Sequence, residues 1–161
     1  MSEMAKAMAG PAKAPTAEAL AEHHALGQLA KIYALGMDLR DYDLCRSAFA
    51  PDAVGEERGQ MAHVDQYLRR TYEVGASFHA TQHLIGQQYV RLDGDEAEVW
   101  SYGVAHHKVA PGEARDEIIA GVQYRDRCRR FPQGWLIVER RVHLLWMDMA
   151  PPRTPSRPMG G

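Results

Sequence analysis

The sequence predicts an α+β domain in which three N-terminal helices pack on one strongly curved antiparallel sheet. Up to Ala76 the apolar residues recur at helical spacing, whereas beyond Ser77 β-branched and aromatic residues dominate in runs separated by turn signals. The order itself, helices first and strands after, segregates the helices to one face of the sheet.

The first helix begins after Thr16, a plausible N-cap, and carries Leu26, Leu29, Ile32, Tyr33 and Gly36 on one face. Asp41 can cap a second, short helix through Phe49, which Pro51 stops. A third helix is predicted from His63 to Ala76, with Val64, Tyr67, Leu68 and Tyr72 inward. Strands are predicted over Gln87 to Leu92 and Ala97 to Val109, joined through Asp93-Gly94-Asp95, a strong hairpin signal. Pro111-Gly112 separates the next, Glu117 to Phe131, and Pro132-Gln133-Gly134 separates the last, Trp135 to Trp146. Residues 1–15 and 150–161, rich in Ala, Gly, Pro and basic residues, read as flexible tails around a domain at 16–149.

Composition removes several function classes. The chain has 161 residues, room for one domain, and a formal charge of −2 from 19 basic and 21 acidic residues. Such a balance gives no field for nucleic acid or an anionic membrane. No apolar run approaches the roughly 20 residues that span a bilayer, and the N-terminus lacks the apolar core of a secretory signal, so a cytoplasmic location is expected. Cys45 and Cys128 have no metal-ligand spacing and are expected to be reduced.

The chemistry-bearing segment is Tyr33 to Val54, followed by His79-Ala-Thr-Gln-His83. Asp38 falls at the C-terminal end of the first helix, where the helix dipole disfavours an acid, so it needs a partner. His83, on a strand that can fold back over it, supplies one. A carboxylate accepting an imidazole N–H fixes the tautomer and stabilises the imidazolium, which makes a general base without metal or cofactor.

These segments resemble a known family. Helix, short helix with an acidic tip, and a curved sheet ending in Gly134-Trp-Leu-Ile-Val-Glu-Arg-Arg-Val142 are similar to the SnoaL-like branch of the NTF2-like superfamily, from about Leu20 to Asp148. Met37-Asp38-Leu39-Arg40-Asp41-Tyr42-Asp43 and Thr81-Gln82-His83-Leu84-Ile85-Gly86 resemble scytalone dehydratase. His79-x-Thr81-x-His83 with Asp38 resembles hexachlorocyclohexane dehydrochlorinase. The resemblance implies a cone-shaped fold and a cofactor-free Asp38–His83 pair in a buried pocket. Departures matter too. Met37 and Glu57 stand where the dehydratase has tyrosines, which argues against scytalone itself, and Tyr33 stands where the dehydrochlorinase has a lysine. Its arginine aligns with Arg140, or with Arg141 after a one-residue shift.

Further site residues follow. His79 shares a strand face with His83 by the period of two, and Tyr124 aligns with a polar pocket residue of the dehydratase. His106 and His107 occupy opposite faces of one strand. The bulky set Trp100, Tyr102, Val104 and His106 is taken as inward, and a pocket lined by Tyr33, Met37, Tyr67, Tyr72, Trp100, Tyr102, Tyr124 and Trp146 is expected. Glu57 is a second candidate proton carrier. A metal on His79, His83 and His106 has no supporting spacing, so no metal and no cofactor are expected.

The expected function is a lyase acting on an aromatic small molecule. Catalysis removes water or, by retro-aldol cleavage, formaldehyde, the second reaction being implied by superfamily members that deformylate lignin-derived diaryl compounds. A steroid-isomerase-like or polyketide-cyclase-like isomerase, and a non-catalytic small-molecule-binding module, are the alternatives. Val138, Val142 and Leu144, read as an apolar outer stripe, predict a homodimer or homotrimer.

Overall fold

The computed structural model describes residues 1–11, 14–57, 59–113 and 116–150. In chain order the elements are α1 (Glu3–Ala7), α2 (Ala17–Leu39), α3 (Tyr42–Ser47), β1 (Phe49–Glu57), β2 (Gln60–His63), α4 (Val64–Ala76), β3 (Ala80–Asp93), β4 (Glu96–Lys108), β5 (Glu117–Phe131) and β6 (Gly134–Ala150). The fold class is the expected one, α+β with helices packed against a curved sheet. That sheet has six strands in the order β2-β1-β6-β5-β4-β3.

Local chemistry sets the helix ends. Thr16 Oγ1 accepts from the Ala19 amide at 3.1 Å, and Asp41 Oδ1 accepts from the Leu44 amide at 2.9 Å. Between them α2 stops at Arg40, which takes the left-handed conformation (φ 57°, ψ 38°), so that the Asp41 amide reaches back to the Gly36 carbonyl at 2.8 Å. Gly36 lets α3 approach, since a Cβ there would stand 2.6 Å from the Cys45 nitrogen and sulfur. From α2, Leu26, Leu29, Tyr33 and Met37 face the sheet, meeting Leu68 of α4 and Phe49, Val99 and Ile137 of the strands. Each such aliphatic side chain contributes roughly 1.5–3 kcal/mol when fully buried.

Bulges bend the sheet around the helices. Register shifts lie between Ile85 and Gln88 of β3, and at two points of the β5–β6 ladder, where Val138 and Leu145 are the extra residues.

Four sequence expectations change. The N-terminal tail contains α1, whose Met4 is buried. The sheet is not wholly antiparallel, because β1 runs parallel to β6, with Gly55 opposite Arg140. Neither β1 nor β2 was expected as a strand: Pro51, Asp52 and Gly55 weaken any local strand signal, and it is pairing with β6 that extends the segment. β3 also starts at Ala80, well before Gln87. The C-terminal tail from Pro151 onward lies outside the described residues. Among the described residues no helix is long and apolar enough to cross a membrane.

Candidate active site

Asp38 sits in the last turn of α2 and meets the first residues of β3. Its Oδ1 is 2.7 Å from His83 Nδ1 and accepts from Thr81 Oγ1 at 3.0 Å, while Oδ2 accepts from the His83 backbone N–H at 2.8 Å. Ionised carboxylate only accepts, so the Nδ1 proton points at Asp38 and Nε2 carries the lone pair. The His83 side chain is 8% exposed and that of Asp38 23%. Period-two alternation puts Thr81, His83 and Ile85 on the concave face of β3.

His107 of β4 is on that face as well. It pairs with Thr81 across the ladder, and its ring lies 5.8 Å from that of His83, edge to face, with Phe78 4.7 Å away on another side. Burial first, and the neighbouring His83 second, push the His107 imidazole below its ordinary value, so it is held neutral. Its buried Nδ1 has no hydrogen-bond partner.

The two histidines stand at one end of a cavity of about 380 Å³. Tyr33, Tyr67 and Tyr124 form the deep wall, Val122, Val142 and Leu144 an apolar side, and Ala105 and Ala120 leave it open. Burial raises all three phenols above their ordinary value, so they remain protonated hydrogen-bond donors. Gly55 makes room for Tyr67, since a Cβ there would lie 2.4 Å from the ring. Glu56 stands at the rim, its carboxylate 3.0 Å from Arg141.

The structure thus brings Asp38, His83, Tyr33, Tyr67 and Tyr124 to one place. It does not bring the other expected residues there. The inner face of β4 is Ala97, Val99, Ser101, Gly103, Ala105 and His107, and the bulky set is outside. Tyr102 is 37% exposed on the convex face, where Trp100 lies beneath Arg125. His106, also outside, pairs with Glu117 at 2.7 Å, and Lys108 holds the other oxygen of that carboxylate at 3.0 Å. His79 precedes β3 and is exposed. Tyr72 donates its hydroxyl to the Arg40 carbonyl, and Trp146 packs against Gly121.

Arg140 points inward but stops short of the cavity wall. Fully buried, it is clamped to Asp126 by two hydrogen bonds of 2.8 and 2.7 Å and stacks behind Tyr33 and Tyr124, 4.5 and 4.7 Å from their centroids. Its charge is compensated before it reaches any ligand. The side chain of Glu57 lies outside the described residues. Val142 and Leu144, expected outside, line the cavity. Both thiols are inert, burial raising Cys45 to about 12 and Cys128 well above its ordinary value. Among the described residues no three His, Cys, Asp or Glu side chains converge as metal ligands would.

Comparison with known proteins agrees with this architecture. The profile of the SnoaL-like domain matches residues 18–141. An uncharacterized protein of Mycobacterium tuberculosis (strain H37Rv) is 30% identical over 120 residues, covering 70% of this chain and 78% of the relative. A scytalone dehydratase candidate from Novosphingobium aromaticivorans superposes with a TM-score of 0.71 at 20% identity, over 86% of this chain and 95% of the other. The type 3 hexachlorocyclohexane dehydrochlorinase of Novosphingobium barchaimii gives 0.70 at 15% identity, over 81% and 90%. At such identities the two structural likenesses are likenesses of fold.

Proposed function

Because the chain belongs to the SnoaL-like domain family, within the NTF2-like superfamily, we propose that it is a cofactor-independent lyase in which His83, oriented by Asp38, is the general base on an aromatic small molecule. The observation that carries this reading is the 2.7 Å contact between Asp38 Oδ1 and His83 Nδ1 at the end of a largely apolar cavity that opens to solvent. A volume near 380 Å³ suits a ligand of one or two rings.

In a dehydration, His83 Nε2 takes a proton from a carbon beside the leaving hydroxyl, and the electron pair forms the new double bond. Neutral His107, a ring away, donates to the departing oxygen. In the retro-aldol version His83 takes the proton of a hydroxymethyl group, formaldehyde leaves, and the ring carbon takes up a proton. The tyrosine hydroxyls donate to the oxygen on which charge develops. General base catalysis is worth about 10²–10⁴ in rate, so positioning by the cavity supplies the rest.

Mass-resolved product analysis of aromatic alcohols with wild type, Asp38→Asn and His83→Ala tests this. Loss of water or of formaldehyde by wild type, abolished in both variants, is expected. A product of unchanged mass would instead favour the isomerase reading, and turnover surviving both substitutions would remove the pair from the mechanism. We also propose self-association as a homodimer or homotrimer. The convex face leaves Leu84, Tyr102, Leu145 and Trp146 half-exposed around a shallow groove, an unfavourable surface for an isolated chain.

A further inference from the structure

We propose that Arg40 is a positioning residue, a clamp that sets the register between the end of α2 and the start of β3 and so holds Asp38 against His83. The inference rests on reading these two residues as the working pair.

Arg40 is the one non-glycine residue with positive φ among those described. The conformation is that of a helix-ending glycine, which would meet no steric penalty there. An arginine in this position gives something glycine cannot. Its Nη2 donates to two successive carbonyls, Phe78 at 2.7 Å and His79 at 3.2 Å, in the link between α4 and β3. Its own carbonyl accepts from the Tyr72 hydroxyl of α4. Three segments are therefore tied together two residues from Asp38.

The ties matter because every hydrogen bond found on the Asp38 carboxylate comes from β3. Thr81 and His83 supply all three, so a shift of β3 along α2 by a fraction of a residue would misplace both oxygens. The clamped carbonyls lie two to five residues before these donors, and β4 fixes the same link from the other side, the His79 amide donating to the Lys108 carbonyl at 2.8 Å. Holding the Phe78 peptide also keeps its ring on His107. Arg40 itself is exposed and is not a wall of the cavity, so its influence runs through the backbone.

Arg40→Gly separates the clamp from the turn, since glycine retains the left-handed turn and removes only the guanidinium. Amide exchange and the imidazole proton spectrum of the free protein test it without a substrate, so the answer stands whether or not any lyase substrate is found. In wild type the His83 amide is protected and its Nδ1 proton gives a resolved downfield resonance. In Arg40→Gly the amides of residues 79–83 exchange about tenfold faster and that resonance broadens, while protection in β5 and β6 is unchanged. Arg40→Lys, which can hold one carbonyl, recovers part of both signals. Should Arg40→Gly fail to fold, Arg40→Asn, which also tolerates the left-handed turn, takes its place. Wild-type protection at His83 together with an unaltered Nδ1 resonance in the glycine variant, or in the asparagine variant replacing it, would overturn the proposal.

Discussion

Asp38→Asn separates the oriented base from a merely structural hydrogen-bond cluster. Three donors reach the carboxylate, at 2.7, 2.8 and 3.0 Å, and asparagine offers one acceptor oxygen and one donor group in the same volume. If its oxygen keeps the His83 amide, its NH₂ faces Nδ1. The ring can meet that NH₂ only by moving its proton to Nε2, the nitrogen that has to accept one from the substrate. The expected loss in kcat is the worth of the base, about 10²–10⁴, or roughly 2.7–5.4 kcal/mol at about 1.36 kcal/mol per decade. KM should hardly change, because Asp38 is not a wall of the cavity. Stability should fall by only about 1 kcal/mol, since the side chain is 23% exposed and solvent screens part of the interaction. For a domain of this size that is about 2–4 °C in Tm. The assay is steady-state product formation beside a thermal melt. A variant with kcat within about threefold of wild type, under 1 kcal/mol of barrier, would refute the argument.

Asp126→Asn leaves the Arg140 charge buried beneath Tyr33 and Tyr124 without its partner, and should cost about 3–5 kcal/mol in urea denaturation. Adding Arg140→Met should recover much of that, and a single variant costing under about 1 kcal/mol would contradict the pairing. His107 gives a pH signature. Its folded-state pKa lies below the ordinary 6.5, so as pH falls through 6.5 the unfolded chain takes up the proton first and stability declines until the folded value is passed. His107→Gln should therefore flatten the acid side of the stability profile, and profiles parallel to wild type would contradict it. Trp146→Glu should lower the mass seen by light scattering if the convex face is the contact between copies, and a monomeric wild type would exclude that assembly.

Much of the fold was legible because its strongest signals are local. Thr16 and Asp41 cap the helices expected of them, and Asp93-Gly94-Asp95 turns the expected hairpin. What escaped was non-local. β1 holds just two strand-favouring residues, Phe49 and Val54, and it is extended by its ladders to β2 and, in parallel, to β6. The Asp38–His83 contact was legible for another reason. An acid at a helix C-terminus needs a partner, and the resemblance supplied which histidine it would be.

The inner and outer faces of β4 were assigned in reverse, and the reason bears on function. Large side chains were taken to face the core because burial of apolar area stabilises a fold. In a sheet wrapped around helices the concave side is already filled by α2 and α4, so it takes Ala97, Ser101, Gly103 and Ala105, and the aromatics Trp100 and Tyr102 go to the convex side. Small residues there do more than avoid a clash. Together with Ala120 opposite it on β5, Ala105 leaves the space that Tyr33, Tyr67 and Tyr124 would otherwise close, so the cavity follows from under-filling one strip of the concave face. The same alternation exchanges His106 for His107. Had size been weighed against the curvature of the sheet, the strip of small residues ending in His107 would have marked both the cavity and its second imidazole.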